Sequence, residues 1–242
     1  MTTLLLSTRN SEDNQQLWRC AIQRGWSVER ARGTSVPDID DAEIVLYMES
    51  LFALSIADRL RLRLLQPADS WLPNLPQEYL GRRIELTTLE RCRHDLFPVF
   101  AKPPNEKSFT AQVFRTAEAL PSDYDPATPI LTSEPVRWGV EVRCFCLDGK
   151  VRTASPYLRD GELARLDGFA ASESEMANAE QLAERVLGDP RVTTPRAVVM
   201  DIGYMNEEHW TVVEANAAWG SGIYGCDPDE VLNVVQHATE KL

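Results

Sequence analysis

Asp201, Glu214 and Asn216 stand in the stretch VMDIGYMNEEHWTVVEANAAWGSG, Val199 to Gly222, which otherwise reads as two apolar runs joined by a polar turn. A plain β-hairpin would place Val or Ile at those three positions. Side chains alternate along a strand, so Glu214 and Asn216 share a face and Asp201 can join them from the paired strand. Two carboxylates and an amide oxygen suit a hard cation such as Mg²⁺, which prefers oxygen ligands and keeps positions for water and phosphate. On a buried face the same groups would be costly to desolvate without a partner. Two readings stand side by side: a metal site, or the solvent face of a hairpin.

A second set of charged residues lies upstream. Lys102 ends the apolar run FPVFAKP, and a lysine projecting from a rigid element is a natural partner for phosphate. Glu134 opens EPVRWGVEVRCF, in which Glu141 and Arg143 point the same way by the two-residue rule. Charge alternating along a strand is commonly a solvated face. Here it falls between Lys102 upstream and the Asp, Glu and Asn downstream.

The elements that must hold these residues follow from periodicity. TTLLLST, SEDNQQLWRCAIQRGW and AEIVLYME read as strand, helix and strand, the alternation of an α/β unit with parallel strands. Ser11 is a weak cap and Gly25 a sound stop for that helix. No GxGxxG follows the first strand, so a dinucleotide site has no support. Leu51 to Leu65 predicts a helix ended by Pro67, with Arg59, Arg61 and Arg63 on a solvated face. The Pro-rich stretch from Gln66 to Arg83 reads as a connector. TLERCRHDLF is a short helix, PVFAKP and PILTSEPV are strands, and Asp148-Gly149 joins two alternating runs as a hairpin. SEMANAEQLAERVLGD turns Met176, Ala179, Leu182, Ala183 and Val186 inward, and DPDEVLNVVQHATEKL closes the chain as a helix capped by Asp227 or Asp229.

Composition narrows the classes. The chain has 242 residues, 43% of them hydrophobic, enough for a sizeable core in one large or two small domains. A formal charge of −12 argues against general affinity for nucleic acid or anionic membrane. No apolar run has the length of a bilayer span or a signal-peptide core, which places the protein in the cytoplasm. Cys20, Cys92, Cys144, Cys146 and Cys226 follow neither a disulfide framework nor a zinc spacing, and Cys144 and Cys146 read as small core residues. His94, His209 and His237 are isolated, and neither GxSxG nor HExxH occurs.

Taken in order, these pieces resemble the ATP-grasp superfamily, the fold of D-alanine:D-alanine ligase and glutathione synthetase. That family has a lysine at the end of a vKP strand that contacts ATP phosphates, matched by Lys102 in FPVFAKP. It has a glutamate before a hinge that meets the adenine, and a second glutamate seven residues on that takes the ribose hydroxyls. Glu134 and Glu141 have that spacing, with Val136 in the hinge. Its magnesium ligands are an Asp and, on the next strand, Glu-x-Asn, matched by Asp201, Glu214 and Asn216.

The resemblance implies a mixed α/β (α+β) ATP-grasp fold: a short Rossmann-like N-terminal lobe over residues 1–75, and over residues 76–242 two α+β subdomains gripping ATP. It implies an ATP- and Mg²⁺-dependent carboxylate-amine ligase working through an acylphosphate. Lys102 and Arg143 would neutralise phosphates, Arg159 in SPYLRDGE would meet a γ-phosphate or a substrate carboxylate, and Gly220 and Ser221 in AWGSG would approach the acceptor. A surface arginine and a tight turn are the plainer readings of the last two. The chain departs from the family in two places. The loop after Lys102, PPNEKSFTAQ, lacks glycine, so Lys107 and Ser108 are candidates to cover the phosphates. The family's other ATP-contacting lysine has no evident match, and Arg82 or Arg83 could replace it. The expected substrates are a small-molecule or peptide carboxylate and an amine, with a homodimer the commonest assembly. An ATP-binding phosphotransferase and a non-catalytic nucleotide-binding partner module are the alternatives on the same fold.

Overall fold

The computed structural model describes residues 2–39, 43–105 and 108–242. The chain opens with β1 (Thr2–Ser7), α1 (Glu12–Gln23), β2 (Ser27–Ala31) and β3 (Glu43–Tyr47), whose strands form a parallel sheet in the order β2-β1-β3. Leu4, Leu5 and Leu6 are fully buried, as a central parallel strand covered on both faces requires. The Ser11 side chain accepts a hydrogen bond from the backbone N–H of Asn14, and Gly25 turns away from the helix end with φ 72°. The strand β2 was not expected. Its residues, SVERA, carry two exposed charges on an edge and show almost no apolar pattern.

The helix expected over Leu51–Leu65 is shorter: α2 (Ser50–Arg59) ends before Arg61, which takes φ 53°, and Leu62–Leu64 form β4. The cause lies at the far end of the chain, where Thr239–Lys241 pair antiparallel with Leu62–Leu64. The helix expected over the last residues is cut short by the same pairing. Neither tripeptide carries a strand signal by itself.

After α3 (Gln77–Leu80) come β5 (Ile84–Thr88), α4 (Leu89–Cys92), β6 (Val99–Lys102), β7 (Gln112–Phe114) and β8 (Pro129–Ser133). The four strands make an antiparallel sheet in the order β5-β8-β6-β7. The second, larger antiparallel sheet contains β9 (Trp138–Leu147), β10 (Lys150–Arg159) and β11 (Glu162–Leu163), then, beyond α5 (Glu173–Leu187), β12 (Ala197–Met205) and β13 (His209–Asn216). Its order is β11-β10-β9-β12-β13. α6 (Pro228–Val235), capped by Asp227, leads into β14 (Thr239–Lys241). The β9–β10 turn has φ 52° at Asp148 and 79° at Gly149, the two positive values a tight hairpin needs. Ser172 and Glu175 close a reciprocal capping box at the start of α5.

The larger sheet has two different faces. On one, Val142, Cys144, Cys146, Val198 and Met200 pack under Ala179, Leu182 and Val186 of α5. On the other, Phe145, Leu147, Ala197 and Val199 join the N-terminal sheet and α6 in one continuous core. That apolar cover extends over only part of the face. Further along the same strands, the inward positions become Glu141, Arg143 and Asp201, all buried.

Gly203 lies among them, and a Cβ there would collide with the Trp138 ring and meet Val213 at 2.8 Å. Gly203→Ala is expected to cost roughly 1–3 kcal/mol through overpacking. Urea unfolding checks this, and an unchanged midpoint would show that the Trp138 contact is not close-packed.

Candidate functional site

Strand register assembles the site. Arg143 of β9 lies opposite Asp201 of β12, and Asp201 lies opposite Glu214 of β13. A bulge then shifts the pairing, so that Ile202 faces Val212 and Val213 is the extra residue. Val212 stays in the core under α5, while Val213 lines a cleft on the opposite side. The Arg82 guanidinium holds the bulge, donating to the carbonyls of Val212 at 2.9 Å, Val213 at 3.0 Å and Leu80 at 3.1 Å. Its carbon sits 4.9 Å from the centre of the Trp138 ring. The chain reaches this position through Gly81, which takes φ 61° and where a Cβ would meet His209 Nε2 at 2.6 Å.

The charged groups are tightly committed to one another. Arg143 donates from Nε to Asp201 Oδ1 at 2.9 Å and from Nη2 to Oδ2 at 2.7 Å, a two-pronged pair. Its Nη1 donates to the Gly222 carbonyl at 3.1 Å, and its carbon lies 4.9 and 5.0 Å from the ring centres of Tyr157 and Tyr224. Asn216 Nδ2 donates to Glu214 Oε1 at 2.8 Å and to Asp201 Oδ2 at 3.3 Å. The other oxygen of Glu214 is ion-paired with Lys102. Tyr157 donates its hydroxyl to Glu141 at 2.9 Å.

Burial and pairing set the protonation of these groups. Burial raises the Asp201 carboxyl above its ordinary value, against the pull of Arg143. Burial would also raise Glu214, but the Lys102 ammonium, with Asn216 and Arg143, overrides it and holds Glu214 at about 2. Glu141 has no full counter-charge, and burial lifts it to about 7 despite the Tyr157 hydrogen bond. Burial lowers Arg82 to about 10, with Glu134, Glu141 and Glu214 opposing the loss of charge.

Between the two antiparallel sheets is a cleft of about 270 Å³. Phe100, Leu131 and Val136 form one side, Trp138 and Val213 the other, and Arg82, Lys102 and Glu214 supply its charge. Mostly apolar walls with a few converging polar groups are the usual form of a small-molecule site.

The structure brings Lys102, Arg143, Asp201, Glu214 and Asn216 into one network and sets Glu141 beside it. Val136 lines the cleft, whereas Glu134 is exposed, is not part of its lining and accepts the backbone N–H of Arg83 at 3.2 Å. Of the two arginines considered for the missing lysine, Arg82 faces the cleft, whereas Arg83 is exposed and pairs with Glu85. Arg159 is not brought to the network. It lies opposite Val140 on the face covered by α5, where it grips Glu175 at 2.8 and 3.1 Å. The bulge between Pro156 and Leu158 lets Tyr157, not Arg159, reach the charged face. Gly220 contacts the N-terminal lobe, a Cβ there meeting the Met48 carbonyl at 3.2 Å. Ser221 is turned inward, donating to the Ala217 carbonyl at 2.7 Å and accepting the Tyr47 hydroxyl at its own carbonyl at 2.8 Å. Lys107 lies outside the described residues, and Ser108 has its hydroxyl buried with no partner among the described residues. The aromatic pair around Arg143 and the N-terminal contacts of the 217–223 loop had no sequence signal, because their partners are remote in the chain.

Among the described residues, no three His, Cys, Asp or Glu side chains gather as a metal cluster. The donor set here is two carboxylates and one amide, joined through Asn216, and its oxygens fit a hard divalent cation whose remaining ligands are water and phosphate.

A family model described as an ATP-grasp domain, the second family of its clade, matches residues 79–234. The chain belongs to this ATP-grasp family. No curated protein matches it in sequence. Among solved structures, this ATP-grasp chain is similar in fold to D-cycloserine synthetase DcsG, with TM-score 0.56, 14% identity, and 98% and 99% of the two chains covered. It is also similar to the ATP-grasp ligase PsnB complexed with minimal precursor, at 0.54, 14%, 96% and 97%. A RimK domain ATP-grasp protein from Sphaerobacter thermophilus aligns at 0.52, 12%, and 98% of each chain. At these identities the likeness is one of fold, and it extends over the residues before 79 as well as over 79–234.

Glu141 and Glu214 predict opposite pH effects. A carboxyl raised on folding binds extra protons in the folded state between about 4.5 and about 7, so stability falls as pH rises through that window. Glu214, held low, stabilises above 4.5 and loses that contribution as pH falls toward about 2. Glu141→Gln is therefore expected to raise stability at pH 8 by on the order of 2–3 kcal/mol and to change little at pH 5. Thermal unfolding at the two pH values measures the difference, and equal effects at both would refute a buried Glu141 charge.

Proposed function

We propose that this ATP-grasp chain is an ATP-dependent ligase that joins a carboxylate to an amine through an acylphosphate. The observation that carries this reading is the continuity of the apolar cleft with the Lys102, Glu214, Asn216, Asp201 and Arg143 network. A nucleoside would lie between the two antiparallel sheets, with Val136 and Trp138 against the base and Glu134 and Glu141 toward the nucleoside. The polyphosphate would extend toward Lys102 and Arg82. Asp201, Glu214 and Asn216 would hold Mg²⁺, which when bound would supply positive charge to offset that of the polyphosphate.

In the proposed reaction, an acceptor carboxylate oxygen attacks the γ-phosphorus, and the bond to the β–γ bridging oxygen breaks to release ADP. The amine then attacks the acyl carbon, loses a proton and expels phosphate. The protein's part is position and field, with little covalent work of its own. Arg143 opposes the effect of burial on Asp201 and aims its carboxylate, and its grip on the Gly222 carbonyl fixes the 217–223 loop, where Gly220 and Ser221 would border the acceptor. Arg159, committed to Glu175, serves this reading by anchoring the start of α5.

The acceptor belongs to one of two classes. PsnB is complexed with a minimal precursor, and a Chryseobacterium gregarium ligase of the same fold, with TM-score 0.50, is in complex with ADP and a leader and core peptide; DcsG is a D-cycloserine synthetase. Peptide and small amino-acid carboxylates are accordingly the proposed substrates, and an ATP-dependent reaction points to the cytoplasm. No helix of the described residues is long and apolar enough to cross a membrane. We further propose that the division near residue 75 separates an acceptor-binding lobe from the nucleotide-binding domain in function, although one hydrophobic core runs through both.

The test is hydroxylamine trapping. With ATP, Mg²⁺ and a library of peptide and amino-acid carboxylates, wild type should release ADP and yield a hydroxamate. Glu214→Gln should reduce both by about 100-fold or more. ADP release with a stable phosphorylated product and no hydroxamate would replace ligation with phosphotransfer, and failure to bind ATP would remove the reading altogether.

A further inference from the structure

Lys102 and Glu214 have opposite assignments in the proposed site, one to phosphate and the other to Mg²⁺, yet in the structure they are paired with each other. Both side chains are mostly shielded, 16% and 25% exposed. Glu214 has one oxygen engaged by Lys102 and the other by Asn216. Asp201 has both oxygens engaged by Arg143 and is fully buried. Every carboxylate oxygen of the metal set thus has a protein donor, and two carboxylates are matched by two cations.

The two cations are not equally free to leave. Arg143 is held by its fork on Asp201, by the Gly222 carbonyl and by two tyrosine rings. Lys102 is a point charge on a flexible stem with one partner among the described residues. A divalent ion approaching Glu214 must displace the ammonium. The displaced charge would then remain beside the metal in a low-dielectric cleft, a strongly unfavourable arrangement. A polyphosphate removes the conflict, because it accepts the ammonium and the metal together.

Resting on the reading of Lys102 and Glu214 given above, we propose that Lys102 is an internal counterion that holds Glu214 closed to divalent metal until a nucleotide polyphosphate draws the ammonium away. The site therefore takes metal and nucleotide as a pair and excludes metal alone. By linkage the coupling is reciprocal, so the metal raises nucleotide affinity by the same factor.

The test is Mn²⁺ binding to protein without nucleotide, read by electron paramagnetic resonance, alongside thermal shifts with Mg²⁺. Lys102→Met should bind Mn²⁺ at least about tenfold more tightly than wild type, since it removes a competing charge of the size that close buried pairs show. The variant should also melt below wild type in chelator, because Glu214 has lost its partner, and regain stability with Mg²⁺ while wild type does not respond. Adding Glu214→Gln to Lys102→Met should abolish the gain. Tight Mn²⁺ binding by nucleotide-free wild type overturns the proposal without recourse to any variant. So does a folded Lys102→Met that gains nothing. Failure of the ligase reading is a separate event, seen as absent ATP binding or absent hydroxamate, and leaves these metal affinities to be judged by themselves.

Discussion

The buried pair between Arg143 and Asp201 is the constraint around which the site is arranged. Removing a carboxylate and a guanidinium from water costs several kcal/mol per ion, and their attraction offsets this only with good geometry and satisfied donors. Here the geometry is two-pronged, the third guanidinium nitrogen reaches the Gly222 carbonyl, and two tyrosine rings cover the remaining surface. Such a pair locks three pieces of chain at once: β9, β12 and the loop after β13. Stability alone is a weak reason for it, since apolar residues of similar size would often serve as well. Its consequence is specificity, because Asp201 is held in one orientation at one position in the sheet.

From that fixed point the neighbouring strands acquire their roles through register. A one-residue slip would exchange every side chain between faces, placing Val213 in the core and Glu214 away from Asp201. The bulge prevents this, and Arg82 holds the bulge by its two carbonyls. Gly81 and Gly203 make the approach possible, the first admitting Arg82 beside β13 and the second making room for the Trp138 ring that lies against it. The position of one carboxylate thus depends on two glycines, a bulge and a buried arginine.

The rest of the fold supplies cover. The apolar half of the charged face is sealed by the N-terminal sheet and α6 in a common core, leaving the other half for the network. The smaller sheet stands across the cleft and presents Lys102 from β6. Two sheets with different partners, one packed against α5 and the N-terminal sheet and one facing the cleft, give a site in which Lys102 of one sheet meets Glu214 of the other.

The sequence by itself determined most of the local elements and the family. Alternation specified the strands around Asp201, Glu214 and Asn216, Asp148-Gly149 specified a turn with two positive φ values, and the order of Lys102, Glu134, Glu141 and the Asp and Glu-x-Asn pieces carried the family. These signals are legible because they are periodic, or because one residue type alone meets a backbone or chemical requirement. Tertiary structure decided what depends on partners far away in the chain. Leu62–Leu64 and Thr239–Lys241 become strands only because they find each other, and SVERA becomes one only beside β1. Arg159 and Tyr157 lie two residues apart, yet a bulge sends the arginine to α5 and the tyrosine to Glu141. Arg82 reads in sequence as one of two equivalent arginines, and burial makes it the one inside the cleft. Pairing and burial are properties of the folded neighbourhood, and no window of residues contains them.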